Sequence, residues 1–178
     1  MTFCVIWLLA GAVTKQTLQQ ARIGSRVLYG IPIVFGFYLL FGGDLPLSML
    51  SLRIIPRAAL VGELGVAVTV AGILLAVWAR FHIGQNWSGT PTVKVGHELI
   101  RSGPYAWVRH PIYSGLLLAV IGTAAARGQV RGFVAVVMVW LAFWLKTRIE
   151  EKFMLQTFGN EYDEYRRSTG ALVPRVRG

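Results

Sequence analysis

The sequence predicts an all-α fold: a polytopic integral membrane helical bundle of about five hydrophobic helices, with a C-terminal helical hairpin and a cytoplasmic amphipathic tail. Three observations carry that prediction. Hydrophobic residues make up 54% of the 178 and charged residues 15%, against roughly 25% charged in an average soluble domain, and the mean hydropathy is +0.55. The apolar residues gather into five runs. The 18 Lys and Arg, set against 8 Asp and Glu, are shared unevenly between the segments that separate those runs. The length suits one domain and leaves no room for a separate nucleotide-binding domain beside a bundle, so any chemistry has to be built from the bundle itself.

The first run, Phe3–Val13, is short. No Lys or Arg precedes it, so it lacks the charged start of a secretory leader and is read as a first helix that begins at the membrane surface. Val27–Gly43, 17 residues, and Ala58–Ala79, 22 residues with one acid, are adequate spans, because crossing takes about 20 residues at 1.5 Å each. Pro111–Ala126, 16 residues, and Gly132–Leu145, 14 residues, are joined only by Arg127-Gly-Gln-Val-Arg131. So short a link permits only an antiparallel helical pair, each helix extended by a turn of flanking sequence or crossing incompletely. The single cysteine, Cys4, lies in an apolar run and gives no compartment information.

Five helices place the chain ends on opposite sides, and the basic residues choose the sides. Arg53, Arg57, Arg127 and Arg131 fall on one face, and the other 14 Lys and Arg on the opposite face. The positive-inside rule makes the larger set cytoplasmic, with the N-terminus outside and the C-terminus inside. A net charge of +10 then reflects orientation and attraction to anionic lipid headgroups, and no nucleic-acid partner is expected.

The inner connection from Arg80 to Arg109 is the roomiest and is rich in donors and aromatics; with His110 just beyond it, it accounts for all three histidines, His82, His97 and His110. Asn86-Trp-Ser88 matches a glycosylation pattern but falls on the inner face, so Asn86 is read as a hydrogen-bonding residue of the loop. Pro111 stands where a helix begins, a position that tolerates its missing N–H, and so holds Arg109 and His110 at a helix N-terminus that favours anions. A second patch, Lys146-Thr-Arg-Ile-Glu-Glu-Lys152, marks the exit of the last hydrophobic helix. Charges at that depth are costly unless they line a wet or protein-filled cavity, which makes them candidate site residues. Glu150 and Glu151 point about 100° apart, so one of the two is expected to face inward. The hairpin brings both patches to the same end of the bundle. The three histidines are too scattered for a metal site, and none is expected.

Gly103-Pro-Tyr-Ala-Trp-Val-Arg-His-Pro-Ile-Tyr113, followed by Arg148-Ile-Glu-Glu and Phe158-Gly-Asn-Glu-Tyr-Asp-Glu-Tyr165, resembles the isoprenylcysteine carboxyl methyltransferase family and its phospholipid-methyltransferase relatives. The resemblance is strongest from about Phe81 to Pro174. It implies a multi-span membrane enzyme that uses S-adenosylmethionine near the cytoplasmic face. It further implies that Gly103, Tyr105, His110, Pro111 and Tyr113 belong to the cofactor-binding segment, with His97 just before them. Glu151, with Glu150, is implied as a contact of the cofactor's amino group or ribose, and Arg109 and Arg148 as contacts of a substrate carboxylate. The expected organisation is a single membrane domain, 1–178, with N-terminal helices over 1–57 and a catalytic core over 58–178 that contains a cofactor loop, 81–113, and the hairpin, 111–147.

The chemistry is consistent with that resemblance. A carboxylate, with an ordinary pKa near 4, is already a nucleophile at pH 7 and needs a cation to hold it, a task suited to arginine. An amine or thiol acceptor needs a base as well. The expected reaction is therefore O-methylation of an amphipathic or lipid-like, prenylcysteine-like acceptor. The alternatives are a phospholipid N-methyltransferase, a reductase-like protein of the same fold, and a membrane scaffold in which the polar groups satisfy one another.

Overall fold

A computed structural model describes residues 17–20, 23–42, 48–87, 90, 92–94, 96 and 98–175. Cys4, the apolar run Phe3–Val13 and His97 lie outside the described residues. Four apolar helices carry the architecture: α1 (Ile23–Phe41), α3 (Ala59–Ile83), α4 (Pro111–Arg127) and α5 (Val130–Phe158). The short helices α2 (Ser48–Ser51) and α6 (Asn160–Ser168) flank them, and β1 (Thr17–Gln20) pairs antiparallel with β2 (Thr92–Lys94) beside the inner connection. Three segments are long and apolar enough to cross a membrane: Ile23–Phe41, Ala59–Asn86 and Val130–Phe158.

The last of these departs from the sequence expectation. The hairpin's second arm runs 29 residues, not to residue 147 but to Phe158, because its apolar stretch continues into a charged face without a helix breaker until Gly159. At 1.5 Å per residue that is about 43 Å, longer than the roughly 30 Å hydrocarbon layer. The first arm has 17 residues, about 26 Å. The excess of α5 carries its charged turns past the start of α4, to the level of the polar loops. The predicted tight turn is present: Gly128 takes φ +65 at the end of α4, a left-handed conformation that glycine adopts without strain.

The helices pack in the order α1, α5, α4, α3, with antiparallel neighbours. Small residues set the α3/α4 seam. A Cβ placed on Gly72 would lie 2.5 Å from the Gly115 carbonyl, and one on Gly115 would lie 2.6 Å from the Gly72 carbonyl; Gly65 and Gly122 repeat the relation one heptad away. Backbones this close gain dispersion contact where lipid supplies no hydrophobic drive for association. Thr69 bridges the seam, donating to the Ala119 carbonyl at 3.3 Å. Between α1 and α5 a conventional core forms from Leu39, Leu40, Ala135, Val139 and Phe143, joined by Val120 and Ala124 of α4. The outward residues, among them Ile31, Val34, Leu60, Leu74 and Phe81, are exposed and apolar, the composition of a surface whose solvent is lipid.

Candidate active site

The polar end of the hairpin is locked from two sides before any functional group is placed. Gly103, at φ +57, opens a 3-10 turn over Gly103–Ala106; a Cβ there would lie 2.7 Å from the His82 ring. His82 itself is hydrogen-bonded to Ser102 through Nε2 at 2.9 Å. The turn drops Tyr105 onto the end of α3, where its hydroxyl donates to the Ala79 carbonyl at 3.4 Å. From the other side, the segment after α6 runs along residues 108–110: the amides of Arg109 and His110 donate to the carbonyls of Gly170 and Ala171 at 2.9 and 3.0 Å. Pro111 is buried at the first position of α4, as the sequence predicts.

Between these supports His110 sits in the wedge formed by both glutamates. Its Nδ1 lies 3.3 Å from Glu150 Oε2 and its Nε2 3.4 Å from Glu151 Oε1. The expectation that one glutamate faces inward is therefore corrected. Two carboxylates about 100° apart on a helix can both reach a single ring placed between them. Burial opposes protonation of His110, but the facing carboxylates outweigh it and raise its pKa above 6.5. Glu150 also accepts from the Tyr113 hydroxyl at 2.6 Å, and the Tyr113 ring stacks between His110 and Phe143.

The two arginines part company. Arg109 is partly buried, donates through Nε to Glu151 at 2.9 Å, and reaches the carbonyls of Arg166 and Thr169. Its fork is thus committed to Glu151 and to the C-terminal segment. Arg148 is exposed, with its guanidinium 5.1 Å above the Trp144 ring, and does not line the cleft. Lys146, which the sequence reading left without a role, takes the inward position instead. It is buried, with its ammonium 4.9 Å from the Tyr113 ring centre and 5.4 Å from that of Tyr29. The signal was present in the spacing: Lys146, Glu150, Phe153 and Met154 follow the four-three-one pattern of one helix face.

These groups wall a cleft of about 820 Å³ when its open mouth is counted. Tyr105, Arg109, His110, Tyr113 and Glu150 line it, while Trp87, Phe153 and Met154 supply apolar surface. Tyr162 and Tyr165 close it from α6, so the tail expected to be amphipathic covers the site with its buried side. Asn86 accepts from the Glu98 amide at 3.4 Å, the loop role expected of it. Burial raises the phenol pKa of Tyr105, Tyr162 and Tyr165, the last to about 12, so all three are neutral donors at pH 7. Among the described residues no cluster of His, Cys, Asp and Glu forms a metal site.

Fold and site together define an integral membrane helical protein with a small-molecule cleft at the polar end of its hairpin. The chain belongs to the phospholipid methyltransferase family, whose pattern matches residues 61–161. It is 32% identical over 117 residues to the Mus musculus protein-S-isoprenylcysteine O-methyltransferase, covering 64% of this chain and 41% of that one. The Saccharomyces cerevisiae protein of the same name is 31% identical over 118 residues, covering 61% and 49%. The chain thus spans less than half the length of these two curated relatives. Its fold is similar to that of the eukaryotic intramembrane Ras methyltransferase, isoprenylcysteine carboxyl methyltransferase, with a TM-score of 0.62 and 23% identity over 86% of this chain and 52% of that one.

Proposed function

We propose that this protein is an S-adenosylmethionine-dependent methyltransferase of the membrane that O-methylates the carboxylate of an amphipathic, prenylcysteine-like acceptor. The observation that carries this reading is the cleft walled by His110, Glu150 and Tyr113 and closed by neutral tyrosines. Its donor set suits the methyl donor. Glu150 is the cleft carboxylate suited to an amino group, and the Tyr105 ring, which also lines the cleft, is suited to a cation. Trp87, Phe153 and Met154 offer apolar surface to a base ring. When bound, S-adenosylmethionine would supply a sulfonium methyl group for in-line transfer to an acceptor oxygen, with S-adenosylhomocysteine as the leaving group. The protein's part is alignment, which contributes up to about 7–11 kcal/mol in ideal cases. Gly103 and Pro111 fix the segment that carries Tyr105 and His110, and Arg109 holds Glu151 and the C-terminal cover in place.

The charge state of the site supports an acceptor that arrives already ionised. Tyr105, Tyr162 and Tyr165 keep their protons at pH 7, and His110 is shifted toward its protonated form. None of these groups serves as the base an amine would need. Phospholipid N-methylation is the second reading, favoured by the family pattern itself. Incubation of the detergent-purified protein with labelled S-adenosylmethionine and native lipids or small prenylated thiols separates the two. The label is expected to be released by mild alkali, as from a methyl ester; alkali-stable label on an amine lipid would establish the second reading. Calorimetry with S-adenosylhomocysteine is expected to show binding, and a response to NADPH in its place would overturn the methyltransferase reading.

The proposed orientation has the cleft in the cytoplasm and the α4/α5 turn outside. A cysteine introduced at Glu164 is then expected to react with an impermeant maleimide from the cytoplasmic side, and one at Arg57 from the other.

A further inference from the structure

Tyr29 of α1 is 5% exposed, and among the described residues its hydroxyl has no hydrogen-bond partner. A buried polar group left unpaired costs stability, and in native proteins it calls for an explanation. Beside it stands the ammonium of Lys146, 5.4 Å from the Tyr29 ring centre and 4.9 Å from that of Tyr113, which lines the cleft. An ammonium only donates, and a neutral phenol has a proton to give. Two residues with protons to donate, from different helices, therefore stand beside Tyr113 of the cleft wall.

We infer that Tyr29 and Lys146 form the subsite that receives the anionic oxygen of the acceptor's head group. The inference rests on the methyltransferase reading for the word acceptor, but the anion preference can be measured without any cofactor. Three further observations support it. Tyr29 lies outside the residues the family pattern matches, 61–161, so α1 would contribute to specificity as well as to packing. The arginines expected to bind the acceptor are otherwise engaged: Arg109 is held by Glu151, and Arg148 faces outward over Trp144. The outer faces of α1, at Ile23, Val27 and Ile31, and of α5, at Trp140, Leu141 and Trp144, are exposed and apolar. An amphiphile in the bilayer can lie along these faces and present its head group at the seam between α1 and α5.

The rival explanation is that Lys146 merely neutralises Glu150 and that Tyr29 is a packing residue. The two explanations differ in what Tyr29→Phe does. The substitution removes one oxygen and keeps the ring, so under the subsite reading the empty protein melts at the same temperature or higher while binding of an anion weakens. The test uses full-length protein in detergent with N-acetyl-S-farnesylcysteine as the anionic probe and its methyl ester as the neutral control. Wild-type protein is expected to bind the acid in preference to the ester. Tyr29→Phe should weaken acid binding about tenfold, the scale of one hydrogen bond to a charged group, and leave the ester unaffected. Lys146→Gln should give the larger loss of preference. S-adenosylhomocysteine binding should be unchanged in Tyr29→Phe. Equal binding of acid and ester by wild type, unaltered acid binding in Tyr29→Phe, or a lowered melting temperature for that variant would each overturn the inference. Absence of S-adenosylhomocysteine binding in wild type would instead overturn the methyltransferase reading, while the comparison of acid with ester would still decide the subsite.

Discussion

The two ends of the α4/α5 hairpin each hold an arginine side chain away from solvent, Arg131 against a backbone carbonyl and an amide oxygen, Arg109 against a carboxylate. At the turn, Arg131 donates to the Gly42 carbonyl at 3.2 Å and to Gln129 Oε1 at 3.0 Å. Both of these acceptors are neutral and the first ties α1 to the turn, where the amides of Ile54 and Ile55 donate to the Gly128 carbonyl. At the other end Arg109 faces a carboxylate, Glu151 at 2.7 Å, within a cluster that continues through His110 to Glu150 and opens onto a cleft. Neutral partners fasten a cation without creating a second charge. Carboxylates create a polar interior whose charge state changes with ligand and pH.

That difference sets the order of mutational effects. Arg109→Met should be the most damaging, because it leaves Glu151 and its neighbour Glu150 short of a countercharge; breaking a buried pair by removing one partner typically costs about 3–5 kcal/mol. The check is unfolding in detergent, where Arg109→Met paired with Glu151→Gln should recover part of the loss. Arg131→Met removes the hydrogen bonds to Gly42 and Gln129, and their loss should cost about 1.5–3 kcal/mol, the scale of hydrogen bonds to a charged group. If Arg131→Met proved the more destabilising of the two, the distinction between a fastening end and a responsive end would fail.

The responsive end should also titrate. His110 has a pKa raised above 6.5 in the folded protein because two carboxylates favour its charged form against the burial that opposes it. A raised pKa stabilises the fold fully below the unfolded value of 6.5, and that stabilisation is lost as pH rises through the folded value. The gap in melting temperature between wild type and His110→Gln should therefore be larger at about pH 6 than at about pH 9. A gap that widens with pH would show that His110 is held neutral. No such trend is expected for Arg131→Met, since an arginine does not titrate in this range.

Much of this arrangement was legible in the sequence, and the reason lies in its spacings. The five-residue link between the last apolar runs forces the hairpin, and Pro111 marks the start of α4, so the meeting of Arg109 and His110 with Glu150 and Glu151 follows from chain geometry alone. What escaped was which side chains face inward along α5. Apolar periodicity fades after Leu145, where charged residues predominate, and burial of a lysine is rare enough to be discounted. The role of the C-terminal segment escaped too. Its backbone bonds to Arg109 and His110 join residues about 60 apart in sequence, and no local pattern announces them. Gly103 was implied as part of the cofactor-binding segment, and no sequence pattern showed that its positive φ and missing Cβ also make room for the His82 ring.

Arg148 offers the smallest expected effect and the sharpest test of that lesson. At about 100° per residue, Lys146, Thr147, Glu150 and Glu151 occupy an arc of roughly 140°, and Arg148 lies beyond its edge, about 60° past Glu151. Once both glutamates reach His110, Arg148 cannot join them without rotating the helix and withdrawing Lys146. Its observed place, exposed above Trp144, suits a cation at the membrane surface, where stacking is worth about 0.5–1 kcal/mol. Arg148→Ala should thus change unfolding stability by no more than about that amount and leave S-adenosylhomocysteine affinity unaltered. The kinetic outcome decides its role: a modest change in the acceptor's KM with kcat preserved fits a surface position. Loss of turnover with intact cofactor binding would instead require Arg148 to swing in over Trp144 when the acceptor arrives, and would move the substrate cation from Lys146 back to the arginine the family resemblance implied.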